Sequence, residues 1–208
     1  MSNAARMMRL LSAVSLLCGV LIVGTQLNTA TRIRHNQEVI LRESVAQLLP
    51  GVAKQIIYGI TPSGELTILP NVEAPGPRFF AGYDTVGNLL DIVIEANERG
   101  YADVISAMYR YSPDMQTITG FQVIDMKETP GLGNKISSDP GFLDNFRHLD
   151  ATHPINTVKH GAKKNPWEID AVSGATISSR AVGRMLQKSV AEVDPVIQRN
   201  LERIKRGQ

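Results

Sequence analysis

Residues 170–176 read Asp170-Ala171-Val172-Ser173-Gly174-Ala175-Thr176, where three small residues lead from a carboxylate segment to a hydroxyl. Such a loop is slim enough for another molecule to reach its backbone. The residues that follow have helical spacing, and a helix start offers unpaired N–H groups and the positive end of a macrodipole, a setting that favours a phosphate. The plain alternative is that Ser173 or Thr176 only caps that helix, since hydroxyl residues are preferred there in any protein. A second run, Lys127-Glu128-Thr129-Pro130-Gly131-Leu132-Gly133-Asn134-Lys135-Ile136, packs a proline and two glycines into a tight turn after an expected strand. There the backbone can approach a planar ring closely.

These two runs must be held by a core. Six stretches rich in β-branched and aromatic residues, at 55–60, 65–69, 78–83, 89–95, 104–111 and 117–126, predict strands. They are separated by turn signals at Pro62-Ser63-Gly64, Pro75-Gly76-Pro77 and Ser112-Pro113-Asp114. Ser138-Asp139-Pro140 predicts a helix start, with Phe142, Phe146 and Leu149 on one face. Over 177–190, Ile177, Ala181, Val182, Met185, Leu186 and Val190 form an apolar stripe beside Arg180, Arg184 and Lys188, the pattern of an amphipathic helix. Residues 199–208 are polar and basic and are expected to fray.

From Leu10 to Leu27 the chain carries no charge, and Arg6, Arg9, Arg32 and Arg34 flank the run. A membrane-crossing helix needs about 20 such residues. A cleaved signal peptide would need a small-x-small site, and Asn28-Thr29-Ala30 is poor at its first position. Acylation of Cys18 would need a small residue before it, where Leu17 stands. Positive charge on both sides weakens the orientation signal, but a short tail before a long domain suits Met1 in the cytoplasm and export of the rest. Residues 36–49 have helical spacing and read as a helix leaving the membrane.

The 208 residues are 43% hydrophobic and 20% charged, enough for one core-bearing domain and an accessory segment. A net charge of +2 without a basic stripe argues against a nucleic-acid partner. A single cysteine forms no intramolecular disulfide or thiolate cluster. His35, His148, His153 and His160 lack metal-site spacing and read as ordinary surface or loop histidines. The expected fold is α+β: a single N-terminal transmembrane helix, then one mainly antiparallel sheet domain with packed helices. Its expected parts are a cytoplasmic tail at 1–9, an anchor at 10–30, a connecting helix at 31–49, a domain at 50–195 and a polar tail at 196–208.

The run ending at Thr176 resembles the Asp-x-x-Ser-Gly-Ala-Thr flavinylation motif of the FMN-binding domain family. The run from Glu128 to Gly133 is similar to the Glu-Thr-Pro-Gly-Leu-Gly motif of the G subunit of the Rnf electron-transport complex, related to the C subunit of the sodium-pumping NADH:quinone oxidoreductase. Gly100-Tyr101 also resembles a position in that pattern. The likeness covers the whole chain without departure at the motif positions, and the short length favours the Rnf subunit.

The resemblance implies an FMN-binding domain at 50–195, with FMN esterified through its phosphate to Thr176 by a separate magnesium-dependent flavin transferase that uses FAD. It implies that Ser173, Gly174 and Ala175 make room and donate to the phosphate, and that Glu128, Thr129, Leu132 and Gly133 wall the isoalloxazine ring. Asp170 either positions the loop or assists the transferase, or only accepts backbone hydrogen bonds in a turn; both stay open. No residue is implied to be catalytic and no metal ligand is implied. The chain would be a single-pass inner-membrane electron carrier with its main domain on the periplasmic side, a subunit of an ion-translocating ferredoxin:NAD oxidoreductase. Its partners would be the other membrane subunits, with the flavin transferase during maturation. The alternative is a membrane-tethered binding or assembly module whose motif is an unmodified cap.

Overall fold

The computed structural model describes residues 3–61, 63–70 and 76–207, and at 31, 34, 35, 37 and 38 the backbone only. Pro62 and Pro75 of the expected turns and the ring of His35 lie outside the described residues; the turn at 61–65 is closed by Gly64 N–H donating to the Thr61 carbonyl at 2.8 Å. The chain divides into two compact units, Met1–Leu41 and Arg42–Gln208.

Helix α1 spans Asn3–Leu48, so the expected anchor and connecting helix form one element. Its stretch Asn3–Ala30, 28 residues, has the length and apolar composition to cross a membrane. At about 1.5 Å per residue it is longer than the ~30 Å of hydrocarbon. Its two inner threonines bond within the helix: the Thr25 hydroxyl donates to the Leu21 carbonyl at 2.7 Å, and that of Thr29 to the Thr25 carbonyl at 2.8 Å.

The second unit is built on a seven-stranded sheet. Its strands are β1 (Lys54–Ile60), β2 (Leu66–Ile68), β3 (Arg78–Tyr83), β4 (Leu89–Arg99), β5 (Val104–Ser112), β6 (Thr117–Asp125) and β7 (Leu149–Asp150), in the order β2-β1-β3-β4-β5-β6-β7. Every pairing within it is antiparallel. Period-two alternation puts Phe79, Ala81, Tyr83, Ile92, Ile94, Ile105, Ala107 and Tyr109 into one core. β4 outruns its expected end because the β4–β5 ladder continues to Arg99 opposite Val104, where Gly100 N–H donates to the Asp103 carbonyl at 2.9 Å and closes the turn.

Helix α2 (Pro140–Asp144) follows the sheet, capped by Asp139, whose carboxylate accepts from Phe142 N–H. It is shorter than the sequence suggested. Phe142 and Phe146 still meet edge to face with centroids 5.1 Å apart, but Leu149 belongs to β7. Two further strands went unanticipated: β8 (Asn156–Val158) and β9 (Glu168–Asp170), a parallel pair.

Helix α3 (Thr176–Arg199) packs Ala181, Val182, Met185, Leu186, Val190, Val193, Val196 and Ile197 into the core. Ile177 does not join that stripe; it is exposed, because it lies seven residues from Arg184 and eleven from Lys188 on the outward side. The inward positions of the first turn are Ser178 and Ser179.

The C-terminal residues do not fray as expected. Helix α4 (Leu201–Lys205) buries Ile204, and the Tyr83 hydroxyl donates to the Ile204 carbonyl at 2.6 Å while sharing a hydrogen bond of 3.2 Å with Tyr58. Leu201 and Ile204 extend the Ile197 stripe by one turn, which outweighs the surrounding charge.

α3 crosses β8 so closely that a Cβ at Gly183 would stand 2.0 Å from the Thr157 hydroxyl oxygen, which is buried and has no partner among the described residues. Gly183→Ala is therefore expected to destabilise the protein by about 1–3 kcal/mol. Adding Thr157→Ala should restore most of the loss, as read by thermal unfolding of the full chain in detergent; equal instability of the single and double variants would contradict this packing.

Candidate functional site

The 170–176 run leaves β9 and turns into α3. Gly174 takes a φ of +82°, a left-handed conformation that glycine adopts without strain, and Ser173 and Gly174 are exposed. Ala175 is the N-cap residue, with no side-chain capping bond, so Thr176 is the first helical residue. Neither Ser173 nor Thr176 acts as the cap, which sets aside the reading of this motif as an ordinary hydroxyl cap. Thr176 is half-buried at the helix start. The N–H groups of Thr176, Ile177 and Ser178 are those a helix leaves without an intrahelical acceptor.

The loop is braced from inside. The Ser179 hydroxyl, fully buried, accepts from Val172 N–H at 3.1 Å and donates to the Ala175 carbonyl at 2.9 Å. Asn145, also buried, holds Asp170 from both sides: its Oδ1 accepts from Asp170 N–H at 3.0 Å and its Nδ2 donates to the Asp170 carbonyl at 3.2 Å. The same Oδ1 accepts from Lys163 Nζ at 3.1 Å.

The carboxylate of Asp170 accepts from Gly161 N–H at 3.0 Å through Oδ2, which supports the turn-acceptor reading of this residue. Its Oδ1 is buried without a partner among the described residues. His160, expected to be an ordinary loop histidine, lies against the motif, with Nδ1 3.1 Å from the Ala171 carbonyl and 3.7 Å from Asp170 Oδ2. The loop carrying it also exposes Lys159, Lys163 and Lys164. Glu168, at its far end, is held below the usual carboxylate range by the N–H groups of Lys164 and Asn165.

The second run folds beside the first. Gly131 has a φ of +77°, and its N–H donates to Asn134 Oδ1 at 2.8 Å, closing the turn that opens the 3-10 helix Gly133–Ser137. Leu132 is exposed and leans over the motif, its Cδ2 3.5 Å from where a Cβ of Gly174 would stand. Thr129 is exposed on the same turn.

Glu128 and Gly133 correct the expected ring wall. Glu128 is only 7% exposed, and its carboxylate faces inward. Oε1 accepts from the N–H groups of Tyr101 at 2.9 Å and Ala102 at 3.1 Å, and Oε2 accepts from the Ser178 hydroxyl at 2.6 Å. Gly133 is buried against it: a Cβ there would stand 2.5 Å from Glu128 Oε2. Of the four expected wall residues, Thr129 and Leu132 remain open to a ligand. Around them, Tyr101 and Ile177 add exposed apolar surface.

Sequence reasoning missed Ser178, Ser179 and Asn145. Two consecutive serines in a first helical turn are a signal, because such hydroxyls bond locally to backbone. Asn145 carries no such signal, since its partners lie 25 residues away.

Residues 100–191 match the sequence model of the family described as the FMN-binding domain. That segment contains both motifs and the whole assembly just described. Curated relatives are named as G subunits of ion-translocating oxidoreductase complexes. The G subunit of the ion-translocating oxidoreductase complex of Methanosarcina acetivorans is 40% identical over 116 residues, 56% of this chain and 58% of the relative. The G subunit of the proton-translocating ferredoxin:NAD(+) oxidoreductase complex of Clostridium ljungdahlii is 35% identical over 49% and 52% of the two chains. The chain thus spans about half the length of these two relatives. The corresponding G subunit of Pasteurella multocida is 28% identical, with 92% of this chain and 94% of that one aligned. The fold is that of Shewanella oneidensis NqrC, with a TM-score of 0.60 at 22% identity over 85% of this chain and 99% of that one.

Asn145 makes a sharp prediction. Asn145→Ala leaves the Asp170 N–H and carbonyl without their partner and is expected to cost about 1–3 kcal/mol. Hydrogen exchange at the Asp170 amide should accelerate more than at amides in the β4–β5 ladder; uniform acceleration would mean that Asn145 supports the whole fold and not this loop.

Proposed function

We propose that Thr176 is the attachment point of FMN, joined through a phosphoester, and that the chain is a membrane-anchored electron-transfer subunit of an ion-translocating ferredoxin:NAD oxidoreductase complex. The observation that carries this reading is the Thr176 hydroxyl itself: it stands at the first helical position, beside the exposed Ser173 and Gly174, and is not used to cap the helix. The family match supports FMN, and the named relatives support the complex.

In the attachment step, a bond forms between Thr176 Oγ1 and the phosphorus on the FMN side of FAD. The diphosphate P–O bond breaks, AMP leaves, and the threonine proton passes to a base on the separate, magnesium-dependent flavin transferase. This chain is the acceptor in that step.

The helix-start N–H groups and macrodipole would stabilise the singly charged phosphodiester. Gly174 leaves the approach open, since no side chain projects from it, and Ser173 and Ala175 keep the loop narrow. Leu132, which stands over Gly174, and Thr129 on the same turn are the residues that would hold the ring system. When bound, the flavin supplies reversible electron acceptance and donation; the protein fixes its position and excludes water from one side. A covalent tether suits a carrier outside the cytoplasm, where lost cofactor is not replaced. On this reading residues 10–30 anchor the chain in the inner membrane, 1–9 remain cytoplasmic, and the main domain faces the periplasm among the other membrane subunits.

Co-expression with a flavin transferase should give wild-type protein a mass increase equal to FMN less water, and a flavin-fluorescent band after denaturing electrophoresis. Thr176→Ala should show neither. Covalent flavin on the alanine variant, or an unmodified wild type in the presence of active transferase, would overturn the assignment in favour of an unmodified binding module.

A further inference from the structure

Glu128 is a buried carboxylate that the attachment chemistry does not use, yet it touches three separate segments. One oxygen takes two N–H groups from the turn between β4 and β5, at Tyr101 and Ala102, and the other takes the hydroxyl of Ser178, two residues beyond Thr176. Its own backbone opens the Thr129–Gly133 turn that stands over Gly174. Two glycines make the close approach possible. A Cβ at Gly100 would stand 2.4 Å from Oε1, and one at Gly133 would stand 2.5 Å from Oε2 and 3.0 Å from Ser178 Oγ. A carboxylate with three donors, enclosed by two glycines, fixes positions far more tightly than apolar packing of the same size, because charge-assisted hydrogen bonds are directional and costly to leave unmade.

We propose that Glu128 and Ser178 form a positioning pair for the flavin-accepting threonine. The pair holds the first turn of α3, and with it Thr176 Oγ1, at a set distance from the Tyr101 turn and from the Leu132 wall. An incoming flavin phosphate then meets the hydroxyl already in place. This inference rests on the reading of Thr176 as the attachment point.

The hydrogen-bond pattern also specifies which substitution is tolerated. In Glu128→Gln the side-chain carbonyl can still accept from Tyr101 and Ala102, and its NH2 can donate to Ser178 Oγ, whose proton rotates away. Glu128→Ala removes every bond, and Ser178→Ala removes the one that reaches the helix.

The test is single-turnover flavin transfer onto full-length protein in detergent, with FAD, magnesium and excess transferase, followed by intact mass and in-gel fluorescence. Ser178→Ala and Glu128→Ala should reach the wild-type extent of modification but at a rate constant lower by about tenfold or more, the effect of displacing a reacting group by roughly one hydrogen bond. Glu128→Gln should return to within about threefold of wild type, with circular dichroism confirming the folded fraction of each variant. A merely structural role gives a different result: a lower extent at an unchanged rate constant. That result, or wild-type rates in both alanine variants, or a glutamine variant as slow as the alanine one, would overturn the positioning pair. Thr176→Ala run in parallel separates the two levels. If it takes up covalent flavin the attachment reading itself fails, whereas if it stays bare while the Glu128 and Ser178 variants load normally, only the positioning pair fails.

Discussion

A carboxylate closed off from water at 7% exposure must have its lone pairs met by donors, and meeting them dictates where everything around it can go. At Glu128 those donors come from the β4–β5 turn and from the first turn of α3. The β4–β5 turn, the Thr129–Gly133 turn and the helix start are therefore fixed to one another through a single side chain. Removing Glu128 would leave the Ser178 hydroxyl and two backbone N–H groups facing inward with no acceptor. Enlarging either glycine would push the same three segments apart.

α3 then serves two purposes along its length. From Ala181 onward it is an amphipathic helix whose apolar stripe completes the sheet core. In its first turn the inward side chains are serines: Ser178 reaches Glu128, and Ser179 ties Val172 to Ala175. An all-apolar first turn would pack as well but would leave the loop before it unbraced. Placing hydroxyls there costs little helix propensity and makes the loop geometry part of the fold.

Much of this was legible in the sequence, and the residues show why. The strands announced themselves through alternation, as in Phe79, Ala81 and Tyr83, and the long helix through its stripe. Both motifs were visible as runs of small residues near helix and strand ends, and Leu132 stands next to Gly174. Direction of facing was not legible: Glu128 is expected to face a flavin ring, whereas Gly100 and Gly133 close over its inward carboxylate. Ile177 reads as core until Ser178 and Ser179 take the inward positions. The short strands β7, β8 and β9 have two or three residues each, too few for a periodicity to register, and exist because of long-range pairing. The C-terminal residues mislead for a related reason, since one buried side chain, Ile204, anchors a segment whose composition is otherwise that of a tail.

That last anchor bears on the order in which the domain is made. Tyr83 lies near the start of the sheet, and the carbonyl that receives its hydroxyl belongs to Ile204, 121 residues later. The Tyr83 hydroxyl, whose burial drives its pKa up, has Tyr58 beside it early but gains the Ile204 carbonyl only once that residue has been synthesised. The first strands can pair as they emerge, but the core beneath them stays open while the remaining residues are added at ~5–20 per second. Completion of the domain thus waits for residues 201–207, which close over Ile56 and Tyr83, and a chain lacking them would keep its motifs and lose that closure.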